Sequence, residues 1–264
     1  MENPVVAGVL VALIVPFLGN TLGAALVFLM RHGMSERFTK ALLGFAAGVM
    51  IAASVWSLIT PALEAAEGGP VPAWAPAAVG FLGGMLLLLA LDHFTPHLHV
   101  GSDEPEGPVT TLKKPTMMLF ALAIHNLPEG MAVGVVLAGF LAGDPTITLA
   151  SVVALSLGIA IQNVPEGAVV SLPLTANGMS RPKAFLAGTL CGAVEPVGAV
   201  LMVAITGLVT PLLPYVLAFA AGAMMYVVTE ELIPQTQQGR HTNIGTIGVA
   251  FGFVLMMVLD VALG

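Results

Sequence analysis

Charge is scarce in this sequence. Of 264 residues, 9% are Asp, Glu, Lys or Arg, and Lys and Arg together number 8. So little charge excludes a solvated globule of this length, and so few cations exclude a nucleic-acid-binding face. Cysteine occurs once, as Cys191 inside an apolar run, which excludes an internal disulfide framework and a cysteine-built zinc cage. Its reading is a small buried hydrophobe. There is no phosphate-cradling glycine loop and no HExxH, so neither direct ATP drive nor a zincin-type protease is expected. No basic residue precedes the first apolar stretch and no cleavage-site pattern follows it, so that segment reads as a retained spanning helix rather than a removable signal peptide.

What is present is apolar: 57% of the residues, with a mean hydropathy of +0.98, which identifies an all-α integral membrane protein. A spanning helix needs roughly 20 mainly apolar residues. Eight segments meet that length, at about 5–30, 40–63, 74–94, 116–141, 146–174, 184–209, 211–229 and 244–263. All the lysines and arginines fall in or beside alternate connections: Arg31, Arg37 and Lys40, then Lys113 and Lys114, then Arg181 and Lys183, then Arg240. By the positive-inside rule these connections are cytoplasmic, and both termini face outward from a cell (inner) membrane. Residues 97–115 form one long polar cytoplasmic loop, and 1–264 read as a single transmembrane transporter domain. Small residues four apart (Gly44/Gly48, Gly80/Gly84, Gly130/Gly134, Gly188/Gly192, Gly248/Gly252) predict close helix packing.

In the middle of the fourth segment stands HNLPEG, with His125, Asn126, Pro128 and Glu129; near the same depth in the fifth stands QNVPEG, with Gln162, Asn163, Pro165 and Glu166. His125 and Glu129 share a helix face. Consecutive spans run antiparallel, so the two copies face each other about a pseudo-two-fold axis, the arrangement transporters use for midplane sites. Glu195, before a proline in the sixth segment, adds a third acid. A charge at the bilayer centre costs at least about 2.5–3.5 kcal/mol, and a bound divalent cation offsets that cost. One imidazole, side-chain amides and carboxylates, with Met50 as an optional thioether, suit Zn²⁺ and its first-row neighbours better than Mg²⁺ or Ca²⁺. The prolines beside the acids also predict broken helical hydrogen bonding and free carbonyls.

Polar residues also mark the ends of the spans. Glu64, Glu67 and Asp260 are placed near the outer face. Asp92, His93, His97, His99, Glu230, Glu231 and His241 are placed near the cytoplasmic face. They read either as an inlet funnel and an exit relay or as helix ends anchored at the interface, and His97 with His99 as a loop metal trap.

The paired motifs, with the glutamate of VEPVG, GFAAGVMIAAS near residue 44, LDHFTPHLH near 91 and EELIPQT near 230, closely resemble the ZIP (Zrt-/Irt-like) metal transporters, prokaryotic branch. The resemblance spans the chain. It implies eight helices in a 3+2+3 arrangement with helices four and five central, a binuclear metal site, and movement of divalent metal into the cytoplasm. It makes Met50, His125, Glu129, Gln162 and Glu166 ligands of a first metal, and it places Asn126, Glu129, Asn163, Glu166 and Glu195 around a second. Ser57 matches a position on the family's outer pathway. Where some members carry aspartate after the helix-five glutamine, this chain has Asn163, which implies a weaker second site. The expected function is transport of Zn²⁺, with Cd²⁺, Fe²⁺ or Mn²⁺ as further substrates and the metal as cargo rather than cofactor. Two other classes stay open: an intramembrane metal-dependent hydrolase and a metal-sensing receptor. The expected partners are metal ions and lipid, with no nucleic acid, and a homodimer is compatible with the sequence.

Overall fold

Apolar chain without water must satisfy its peptide groups internally, which in the absence of a closed barrel means helix. The computed structural model describes residues 4–30, 34–98, 105–176, 178–208 and 212–263. Among these, 8 helices are long and apolar enough to cross a membrane: α1 (Pro4–Leu29), α2 (Glu36–Ala65), α3 (Trp74–Phe94), α4 (Thr116–Ala142), α5 (Leu149–Ala176), α6 (Arg181–Ile205), α7 (Leu213–Gln237) and α8 (Ile244–Leu263). The all-α, eight-span architecture expected from hydropathy is the one observed.

Three helices depart from the apolar runs that announce them. α2 starts at Glu36, ahead of the expected 40, because Ser35 caps it by accepting the Phe38 N–H. That start sets Lys40 a full turn inside the helix. α7 continues past 229 to Gln237, through the charged pair Glu230 and Glu231, by opening into a π-helical turn at Val228–Leu232. α2 does the same at Ser54–Ile59. Each widened turn precedes a proline, Pro234 or Pro61, whose missing N–H favours the change of hydrogen-bond register. α6 is broken at Ala193, just before Glu195 and Pro196. α4 and α5 run on through Pro128 and Pro165, each of which lacks the N–H that would bond the carbonyl four residues back.

The most intimate pairings are α1 with α5, α4 with α6, α2 with α8, and α3 with α7. Exchanging helices one to three with six to eight, and four with five, turns each pairing into another of the set. The chain is thus an inverted repeat, with α4 and α5 at the centre and three helices on either side. Glycines make the pairings possible. Gly44 and Gly48 press on the carbonyls of Gly245 and Val249, Gly80 and Gly84 on those of Tyr215 and Phe219, and Gly130 on that of Glu195. Gly80, Gly84 and Asp92 of α3 recur at the same spacing as Gly248, Gly252 and Asp260 of α8. α4 and α5 are largely buried, whereas α8 turns Phe251, Val254, Val258 and Val261 outward as an apolar face suited to a membrane.

Candidate metal centre

The two motifs lie at mid-length of α4 and α5, and the antiparallel packing of these helices brings their polar faces together. His125, Asn126, Glu129, Gln162, Asn163, Glu166 and Glu195 are all buried, Glu129 and Gln162 completely. His125, Glu129 and Glu166 each offer one ligand atom, and these atoms lie within 4.8 Å of one another. The imidazole Nε2 is 3.5 Å from Glu166 Oε1 and 3.9 Å from Glu129 Oε1. Gln162 Nε2 donates to Glu129 Oε1 and to Asn163 Oδ1, the latter at 2.8 Å. Asn163 Nδ2 donates in turn to the Pro16 carbonyl of α1 at 3.3 Å. Glu195 reaches the group from α6, whose backbone Gly130 lets approach. Met50 is fully buried in the apolar core that α2 shares with α4.

Several of these buried atoms have no hydrogen-bond partner: His125 Nε2, Glu129 Oε2, Gln162 Oε1 and both oxygens of Glu166 and of Glu195. Buried polar atoms are almost always paired. Seven orphans of metal-ligand type on the facing stretches of α4, α5 and α6 form an electron-rich setting suited to a cation.

The sequence reads Glu231 either as part of an exit relay or as a charged helix end, and does not place it against His125; the π-helical turn of α7 carries it inward. It is buried, and its Oε2 lies 3.3 Å from His125 Nδ1. The signal in the sequence was Pro234, three residues on, which marks an altered helical register. A space of about 30 Å³ opens beside His125, Glu166 and Glu231 and shares Leu43, Val169 and Gln235 with a wider cavity of about 350 Å³. The wider cavity is edged by Glu36, Lys40, Gln238 and Gly239, at the end of the bundle where the basic residues gather.

At the opposite end, Ser57 in the π-helical turn of α2 donates to Asp260 Oδ1 at 2.6 Å, which ties α2 to α8. Glu64, Glu67, His93, Glu230 and His241 are exposed. His97 is buried beside Asp92, Nε2 to Oδ1 3.0 Å, while its Nδ1 meets the Thr95 carbonyl at 2.7 Å. Glu106, bridged to the His97 backbone, completes a second group of ligand-type residues. His99, the other half of the expected loop trap, and Arg31 lie outside the described residues.

A sequence profile for the ZIP zinc transporter family matches residues 114–260, the stretch that includes both motifs and Glu195. The chain is 42% identical to zinc transporter ZIPB of Bordetella bronchiseptica, over 94% of this chain and 79% of the relative. It is 37% identical to zinc transporter ZIP11 of Xenopus tropicalis, over 92% and 93%. It is 34% identical to zinc transporter ZupT of Chlorobium luteolum, over 90% and 91%. Similarity of this degree over nearly the whole chain, centred on helices that meet at a buried histidine–carboxylate cage, means that the chain belongs to the ZIP family.

Proposed function

We propose that this protein carries Zn²⁺, and with it Cd²⁺, Fe²⁺ or Mn²⁺, across the cell membrane into the cytoplasm, the ion being bound midway by the α4–α5 cage. The observation that carries this reading is the set of seven unpartnered buried ligand atoms on His125, Glu129, Gln162, Glu166 and Glu195. A divalent ion among them replaces its hydration shell with imidazole nitrogen and carboxylate and amide oxygens, a donor set that suits first-row divalent metals. Met50 of α2 is the thioether donor in this reading, and Asn126, next to His125 in the chain, an amide donor. Glu231 orients His125 so that Nε2 is the ligand nitrogen.

In this reading the basic end of the bundle is cytoplasmic and both termini are extracytoplasmic. An ion leaves past Glu231 into the wider cavity. It arrives from the end where Ser57 and Asp260 meet. The centre holds one ion tightly. A second, between Glu129, Glu166 and Glu195, is held weakly, because Asn163 brings a neutral amide already engaged with Gln162 and the Pro16 carbonyl. A homodimer is carried as a further proposal, resting on the broad outward apolar faces of α3 and α8; native mass measurement in nanodiscs tests it.

The deciding experiment is flux of Zn²⁺ into proteoliposomes of the purified protein, with Cd²⁺, Fe²⁺ and Mn²⁺ as competitors. Uptake above that of protein-free vesicles, lost in Glu166→Ala, supports transport. Binding without flux favours a sensor.

A further inference from the structure

A lysine buried beside a cation path needs a physical reason, since its charge opposes the ions that pass. Lys40 is 4% exposed. Its Nζ lies 2.8 Å from Glu36 Oε1 and 2.9 Å from the Arg240 carbonyl oxygen, in the α7–α8 connection. Gly239 makes that meeting possible. Its φ of +67° is a left-handed value that suits glycine, and a Cβ there would stand 2.7 Å from Glu36 Oε1. Glu36 and Lys40 edge the cavity of about 350 Å³ that joins, through Leu43, Val169 and Gln235, the space beside His125, Glu166 and Glu231.

Two oxygens, one of them anionic, therefore converge on a single point in the wall of the release vestibule, and an ammonium fills that point. Thr39, Gln235 and Gln238 line the same cavity and add hydroxyl and amide oxygens. Without the ammonium this is an oxygen-lined site for a divalent cation.

We infer that Lys40 is a release-promoting residue: its ammonium permanently fills a cation site at the vestibule mouth, so that metal leaving the centre meets no free carboxylate there. The inference rests on the transport reading above. A glutamate whose side chain is 64% exposed would make only a weak trap. Its affinity would lie well below that of the buried centre, because a single exposed carboxylate with neutral oxygens offers one anionic ligand. A trap of that strength delays exit most when metal has accumulated inside.

The test compares wild type, Lys40→Met, Lys40→Gln and the double variant Glu36→Gln/Lys40→Met. Methionine keeps most of the stem length without the charge, and glutamine still donates to the Arg240 carbonyl, so at least one single variant keeps the local fold. Zn²⁺ alone is the probe. Equilibrium dialysis should find one more weakly bound ion on each single variant than on the wild type or the double variant. Initial flux into vesicles preloaded with millimolar Zn²⁺ should fall several-fold in the single variants and return in the double variant. A single variant that binds no additional ion, or a double variant as slow as Lys40→Met, overturns the inference and leaves Lys40 a clasp between α2 and the α7–α8 turn. A wild type that moves no Zn²⁺ sinks the transport reading instead, and the dialysis comparison still decides the role of Lys40.

Discussion

Glu231 Oε2 stands 3.3 Å from His125 Nδ1, joining residues 106 positions apart in the chain. With Nδ1–H given to the carboxylate, Nε2 keeps its lone pair and faces Glu166 and Glu129. A carboxylate behind a ligand histidine fixes the ring and raises its basicity. Glu231→Ala should therefore weaken metal binding about 10–100-fold while the protein stays folded. Zn²⁺ titration of both forms checks this, and an unchanged affinity would remove Glu231 from the centre.

Glu129 and Glu166 are each buried with unpartnered oxygens, and metal is the compensation their positions offer. Glu129→Ala and Glu166→Ala should each abolish Zn²⁺ flux in proteoliposomes. Near wild-type flux in either variant would move the transport site elsewhere.

Protons and metal compete for the same lone pairs on His125, Glu129 and Glu166. Each binding event displaces whatever protons those groups hold, so apparent affinity must fall as pH falls and recover as pH rises. Zn²⁺ binding measured from acid to neutral pH should show that slope. A flat profile would point to backbone carbonyls as the ligands.

Asn163 brings an amide where a carboxylate would bring a charge. Asn163→Asp adds an anion beside Glu195 and should raise occupancy of a second metal without displacing the first. Metal counting on both purified forms, across a series of free concentrations, reads this directly. Equal occupancy in the two forms would show that residue 163 does not set the second site.

Gly84 presses against the Phe219 carbonyl and Ala223 of α7. Gly84→Val has no space to enter, and overpacking of this kind costs about 1–3 kcal/mol. Thermal stability in detergent should drop accordingly, while Gly68→Ala, in open space but at a φ of +73°, reports the separate cost of left-handed backbone.

Much of this was legible because hydrocarbon permits few solutions. Apolar length gave the eight spans, and glycines four apart named the faces where α2 meets α8 and α3 meets α7. The HNLPEG and QNVPEG copies announced which helices face each other, since two buried carboxylates at matched depth have little reason to be apart. Glu231 escaped because hydropathy ends α7 at the first charged pair, whereas the π-helical turn buries one member of that pair against His125. The Ser57–Asp260 bond escaped for a related reason: Ser57 sits in the other π-helical turn, and no periodicity of 3.6 predicts which way such a turn points its side chains. The burial of Lys40, which the apolar run places at the very start of α2, depends on the Ser35 cap that begins the helix at Glu36.

The pairing of α1 with α5 has a consequence for how the protein is made. Gly19 and Gly23 of α1 lie against the carbonyls of Ala160 and Val164, and Asn20 donates to the Gly188 carbonyl. A ribosome adding roughly 5–20 residues per second reaches those partners on the order of ten seconds or more after α1 has emerged. For that interval α1 waits with a grooved, amide-bearing face turned to lipid or to the insertion machinery. Helix α1 is therefore threaded well before its partners and docks late.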